Sequence, residues 1–299
     1  KSRSAEYSNR IRLPYPESYN SYQYDTIQAE FNRNKIKSLS RLNMEDLTKL
    51  SLEENEITNI EPGTFIRLKQ LKYLSLKDNS IQTLHERSFQ GLVKLETLDI
   101  SNNEIRGFSL ETFADLKLLK TLFLCNNKLS NMNGKIFPNS LQNLDISFNY
   151  ISRIEVDVFD NTNNLTVLNL SNNNITEVST FMFISLRSLT NLDLSYNNIL
   201  KMDQNSFANL NSLQKLSLSH NVLEEMHANA EFPASIEILD ISNNLFTDIG
   251  TPILSIKNLE ELYMQQNKLK SVDISSGSEL KVSVLSHFNY NKKSVKLIF

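Results

Sequence analysis

The side chains best suited to nucleophilic or metal chemistry in this chain are four histidines, His85, His220, His227 and His287, and a single cysteine, Cys125. A metal needs three or four converging ligands, often two of them one helical turn apart as in H-E-x-x-H, and no histidine here has such a companion. A serine nucleophile would be announced by G-x-S-x-G, and phosphate or dinucleotide binding by glycine-rich loops. Neither occurs, and the chain holds only 6 glycines. The expectation is a protein that is not an enzyme and uses no metal or cofactor. Cys125 can form no internal disulfide. It stands in a column otherwise filled by Ser101, Ser147, Ser171, Ser195 and Ser219, so it reads as a small-residue replacement, with pairing to another chain as the alternative.

Side chains without chemistry can still recognise a partner, provided something holds them in place. That framework is a repeat. Leu71-x-x-Leu74-x-Leu76-x-x-Asn79-x-Ile81 recurs in one phase down the chain, its asparagine falling at Asn34, Asn55, Asn79, Asn103, Asn127, Asn149, Asn173, Asn197, Asn221, Asn244 and Asn267. Successive asparagines are 21 to 24 residues apart, mostly 24. A weaker twelfth unit runs over 280–288, with Phe288 where asparagine is expected. Leu-x-Leu is the period-2 mark of a short strand with one buried face, and stacking such units buries a continuous core. After each strand the chain must turn, which leaves backbone N–H and C=O groups away from water. Asparagine carries both a donor and an acceptor, so the column from Asn55 to Asn267 reads as a structural ladder.

Other columns follow at fixed offsets. Phe65, Phe89, Phe113, Phe137, Phe159, Phe183 and Phe207 lie ten residues after the asparagine, and read as core packing rather than a cofactor box. Segments such as 63–68 and 206–210 predict a short helical turn in each unit. The fold expected is an α/β solenoid of about 11 to 12 repeats, a horseshoe with a parallel concave sheet and short helical turns and loops on the convex side. The solenoid is placed at 26–288. The tyrosine-rich segment 1–25 is read as a terminal cap or an arm, and 289–299 as a second cap or a truncated end.

Stretches such as 57–79, 81–103 and 175–197 carry I-x-x-[I/L]-x-x-x-x-F-x-x-L-x-x-L-x-x-L-x-L-S-x-N. This resembles the "typical" 24-residue subfamily of leucine-rich repeats, found mainly in secreted proteins and receptor ectodomains of the Toll-like, slit-type and insect immune kinds. The resemblance covers about residues 26 to 288. It implies an extracellular or secreted location and a protein partner, in innate immunity, adhesion or signalling. Extracellular members usually close both ends with cysteine-rich caps, and this chain has none, which suits an alternative reading as an intracellular, cytoplasmic scaffold or regulatory subunit. The opening Lys1 fits either a removed signal peptide or a fragment boundary.

The concave positions are where recognition would reside, because the core does not dictate them. Phe123, Phe148, Tyr196 and Tyr263 are read as exposed aromatics able to act as hot spots, with Phe123 and Phe148 forming one patch near Cys125. Asp99, Asp145, Asp193 and Asp240 form an acidic line, although L-D-L-S is also an ordinary filling of this repeat. Sequons at Asn164, Asn169 and Asn174 are glycosylation candidates, with Asn169 on the concave surface. The net charge of -3 gives no footprint for nucleic acid, so none is expected as a partner. No apolar run is long enough to span a bilayer. A homo- or hetero-oligomer is compatible with all of this.

Overall fold

The structure is a computed structural model that describes residues 27–270 and the short strand Arg10–Ile11. The caps or arms placed at 1–25 and 289–299, and the weak unit at 280–288, lie outside the described residues. The chain divides into two compact units, Lys1–Lys128 and Leu129–Phe299.

Each unit is a stack of coils, and each coil contributes one three-residue strand. In the first unit these are Gln28–Glu30, Lys49–Ser51, Tyr73–Ser75, Thr97–Asp99 and Thr121–Phe123. They pair in parallel with the central leucines in register, Leu50 with Leu74, Leu74 with Leu98 and Leu98 with Leu122. In the second unit they are Asn143–Asp145, Val167–Asn169, Asn191–Asp193, Lys215–Ser217, Ile238–Asp240 and Glu261–Tyr263. Leu144, Leu168, Leu192, Leu216, Leu239 and Leu262 are again in register and buried. One inward leucine between two outward residues is the shortest sequence that specifies a face, because side chains alternate along a strand.

Every strand is followed by the same sharp turn, which places one residue in the left-handed region. Its occupants are Arg33, Glu54, Asp78, Asn102 and Asn126 in the first unit, and Phe148, Asn172, Tyr196, His220, Asn243 and Gln266 in the second, all with φ between 51° and 58°. The asparagine that follows satisfies the turn. In the first unit Asn79 Nδ2 donates to Leu52 O at 2.9 Å in the preceding coil and to Leu76 O at 3.0 Å in its own, while its Oδ1 accepts from Ile57 N at 3.0 Å. In the second unit Asn173 repeats this with Ile146 O, Leu170 O and Ile151 N. Asn79 and Asn173 therefore each tie two coils together through buried backbone groups, whereas Asn34, at the start of the column, is exposed and bonds only Phe31 O and Asn32 O of its own turn.

Opposite the strands the phenylalanines stack. Ring centroids are 6.4 Å apart for Phe65–Phe89 and 5.9 Å for Phe89–Phe113 in the first unit. In the second, Phe137, Phe159, Phe183 and Phe207 follow at 6.1 to 6.4 Å. Phe232 continues this column at 6.0 Å although it lies 25 residues after Phe207, off the common spacing. The segments expected as helical turns are tighter than α-helix. Leu68 N donates to Phe65 O and Leu71 N to Leu68 O, bonds of the i→i+3 kind, and Gly250–Leu254 is the only α-helix among the described residues. Gly91 shows how close the chain passes: it has φ 92°, and a Cβ there would lie 2.6 Å from Ile66 Cα.

Candidate functional site

The open side of the strands carries two columns of side chains that packing does not fix. The first is the third residue of each strand. Asp99, Asp145, Asp193 and Asp240 all sit here, half-buried, and each is bound into the turn that follows. Asp99 Oδ1 accepts from Ser101 N at 3.0 Å and Ser101 Oγ at 2.6 Å, and Asp145 repeats both bonds with Ser147. Asp193 and Asp240 accept from Ser195 N and Ser242 N, each at 2.9 Å. Asn169 plays the same part with Ser171 N at 3.0 Å. An aspartate or asparagine bonding its own backbone two residues on is a turn-forming device, so one oxygen of each aspartate has structural work.

The four aromatic candidates separate into two kinds. Phe123 and Tyr263 belong to the strand column and are half-buried, so they are less exposed than the sequence indicated. The Tyr263 hydroxyl donates to Glu261 Oε2 at 2.7 Å, and this bond, with burial behind it, pushes the hydroxyl above its ordinary pKa. Phe148 and Tyr196 belong to the left-handed column and are 57% and 51% exposed. His220, which the sequence shows without a metal-ligand companion, stacks on Tyr196 with ring centroids 3.9 Å apart and planes 10° from parallel. Phe123 belongs to the first unit and Phe148 to the second. Cys125 is half-buried, and its carbonyl accepts from Asn102 N at 2.9 Å.

Backbone preference makes Phe148 and Tyr196 unusual. Left-handed φ costs an L-residue roughly 1–2 kcal/mol, least for asparagine and aspartate, whose short polar side chains bond locally. Asn102, Asn126, Asn172 and Asn243 take that economical choice at the same position. A bulky ring there gains no core packing in return.

The strands of the second unit hold a shallow groove of about 410 Å³. Val167, Ile238 and the Tyr263 ring supply carbon surface, while Asn169, Asp193, Lys215, Ser217 and Asp240 supply polar groups. Val167 and Ile238 carry no signal in the sequence and look like ordinary strand residues until the register places them on the open face.

The three sequons are placed differently. Asn164 and Asn174 are exposed, whereas Asn169 is half-buried in the groove and engaged in its turn. Expression through a secretory pathway is expected to give glycans at Asn164 and Asn174 and an unmodified Asn169. Glycopeptide mass spectrometry checks this, and a glycan found on Asn169 would sink the assignment.

Among the described residues no group of three or more histidine, cysteine, aspartate or glutamate side chains is arranged to hold a metal ion. No helix among them is long and apolar enough to cross a membrane.

Comparison with known proteins gives concordant results. No curated protein matches the chain. Among solved structures, TLR13 in its complex with ssRNA13 is 28% identical, with a TM-score of 0.70 over 73% of this chain and 32% of that one. Toll, in the Toll–Spatzle complex of Drosophila development and innate immunity, is 23% identical with a TM-score of 0.73, over 84% of this chain and 34% of that one. The LRIM1/APL1C complex contains a chain 25% identical with a TM-score of 0.63, over 85% of this chain and 49% of that one. This chain therefore spans about a third of the first two. The Leucine rich repeat family matches residues 45–105, 94–138, 139–199 and 187–232, more than half of the sequence. With the asparagine ladder and parallel strand register already in view, these matches establish that the chain belongs to the leucine-rich-repeat family.

Proposed function

We propose that this chain is a non-enzymatic recognition module, secreted or part of a receptor ectodomain, that binds a protein partner through the open face of its second unit. Innate immunity, adhesion and signalling are the settings that fit. The observation that carries this reading is the pair Phe148 and Tyr196, exposed rings held in the left-handed conformation that costs asparagine and aspartate least. Strain of this kind persists where the surroundings use it, and exposed aromatics are the side chains that contribute most when a partner desolvates them. The ring of His220 on Tyr196 enlarges that surface.

Two neighbours support a protein partner, since Toll is described with Spatzle and LRIM1 with APL1C. The charge argument against nucleic acid receives no such support, because TLR13 is described with ssRNA13. The reading is tested by displaying a library of secreted and ectodomain proteins against the chain and mapping any binder by amide hydrogen exchange. Protection is expected in the coils that carry Phe148, Tyr196 and His220. Protection confined to the phenylalanine side or to the first unit would overturn it.

A further inference from the structure

The groove in the second unit is matched to one chemistry. Its carbon surface, from Val167, Ile238 and the Tyr263 ring, suits a methylene chain or an extended peptide. Its charged lining is two carboxylates, Asp193 and Asp240, and one ammonium, Lys215.

The strand register fixes the spacing. Asp193 pairs with Ser217, and Ser217 with Asp240, so the two aspartates stand two strand spacings apart, about 9.6 Å. The small Ser217 leaves room between them. A guanidinium carries five N–H donors in a planar fork and can reach a carboxylate on either side. Each aspartate uses Oδ1 for its turn, with Ser195 N and Ser242 N, and Oδ2 is the second acceptor that a cation can engage. Lys215 lines the same groove and repels a cation set against it, which confines the partner's charge to the aspartate row.

We propose that this groove receives an arginine side chain from an extended basic segment of the protein partner, its stem against Ile238 and the Tyr263 ring and its guanidinium between Asp193 and Asp240. This deepens the protein-recognition reading and rests on it.

The probe is an acetylated, amidated peptide of alternating arginine and threonine, titrated into the full chain by calorimetry at low and high salt. Its citrulline counterpart keeps the shape without the charge. The double variant D193N/D240N is the test, because Asn169 shows that asparagine keeps the turn bond at 3.0 Å. E224Q/E225Q, which removes two exposed carboxylates outside the groove, is the control.

D193N/D240N is expected to weaken the arginine peptide at least tenfold, and citrulline to do the same. E224Q/E225Q should leave binding unchanged, and Lys215→Gln should strengthen it. Equal losses in D193N/D240N and E224Q/E225Q would show only a diffuse field and overturn the groove. So would undetectable binding, or equal binding of citrulline peptide, glutamate peptide or a single-stranded RNA oligonucleotide. A natural partner lost by F148N/Y196N but bound fully by D193N/D240N overturns the groove and leaves protein recognition standing. A partner disturbed by neither variant overturns both.

Discussion

Replacing Phe183 by alanine is expected to destabilise the second unit by about 3–5 kcal/mol, the usual cost of emptying a packed phenylalanine site. Phe183 is buried between Phe159, at 6.1 Å, and Phe207, at 6.4 Å, so its loss opens a hole in the middle of the ring column. The neighbouring coils cannot collapse into the space without breaking the strand register opposite. Phe232 sits at the half-exposed position beyond Phe207, and Phe232→Ala should cost much less. Urea unfolding followed by circular dichroism checks both. Equal costs at the two positions would mean that the column does not act as a continuous stack.

Asn173→Leu is expected to cost about 3 kcal/mol, more than any single surface change. Its side chain donates to Ile146 O, Leu170 O and Ser171 O and accepts from Ile151 N, all within buried surroundings. The carbonyls keep other donors: Asn149 Nδ2 for Ile146, Asn197 Nδ2 for Leu170 and Phe148 N for Ser171. The damage therefore concentrates on Ile151, whose N–H loses the acceptor that Asn173 Oδ1 provides, in a residue shut off from water. Asn174→Leu, at the adjacent exposed position, should change stability by less than about 0.5 kcal/mol. The pair of midpoints in one denaturation series decides the matter, and similar values for both variants would remove the ladder from the account.

What could be read from the sequence follows from what repeats. The asparagine and leucine registers recur in phase, so a single pattern implied parallel strands and a continuous core. The phenylalanine column was legible as far as Phe207 and then lost, because Phe232 arrives one residue late and only the fold closes that gap. The short turns expected on the far side are closed by i→i+3 bonds, such as Leu68 N to Phe65 O, a detail that propensity alone does not specify. At the site, the aspartate line was visible as a pattern, but its bonds to Ser101, Ser147, Ser195 and Ser242 depend on turn geometry. The four aromatics fall in two adjacent columns of the sequence, Phe123 with Tyr263 and Phe148 with Tyr196, and all four read as exposed. They differ because Phe123 and Tyr263 end strands, whereas Phe148 and Tyr196 occupy the left-handed residue after them. The run of asparagine and aspartate at that column was the available clue, since those residues tolerate positive φ best.

The central claim is that Phe148 and Tyr196 are kept for a partner at some expense to the fold, and the F148N/Y196N double variant tests it most directly. Asparagine is what Asn102, Asn126, Asn172 and Asn243 already place in this conformation. Relief of left-handed strain should therefore hold the unfolding free energy or raise it by on the order of 1 kcal/mol, so that the thermal midpoint does not fall. Affinity for a partner retrieved by the chain should fall by at least about 30-fold, the loss typical of two hot-spot rings. Stability up and binding down, measured on one preparation, is the result expected. A double variant that melts earlier, or that binds the partner as tightly as before, would contradict the claim.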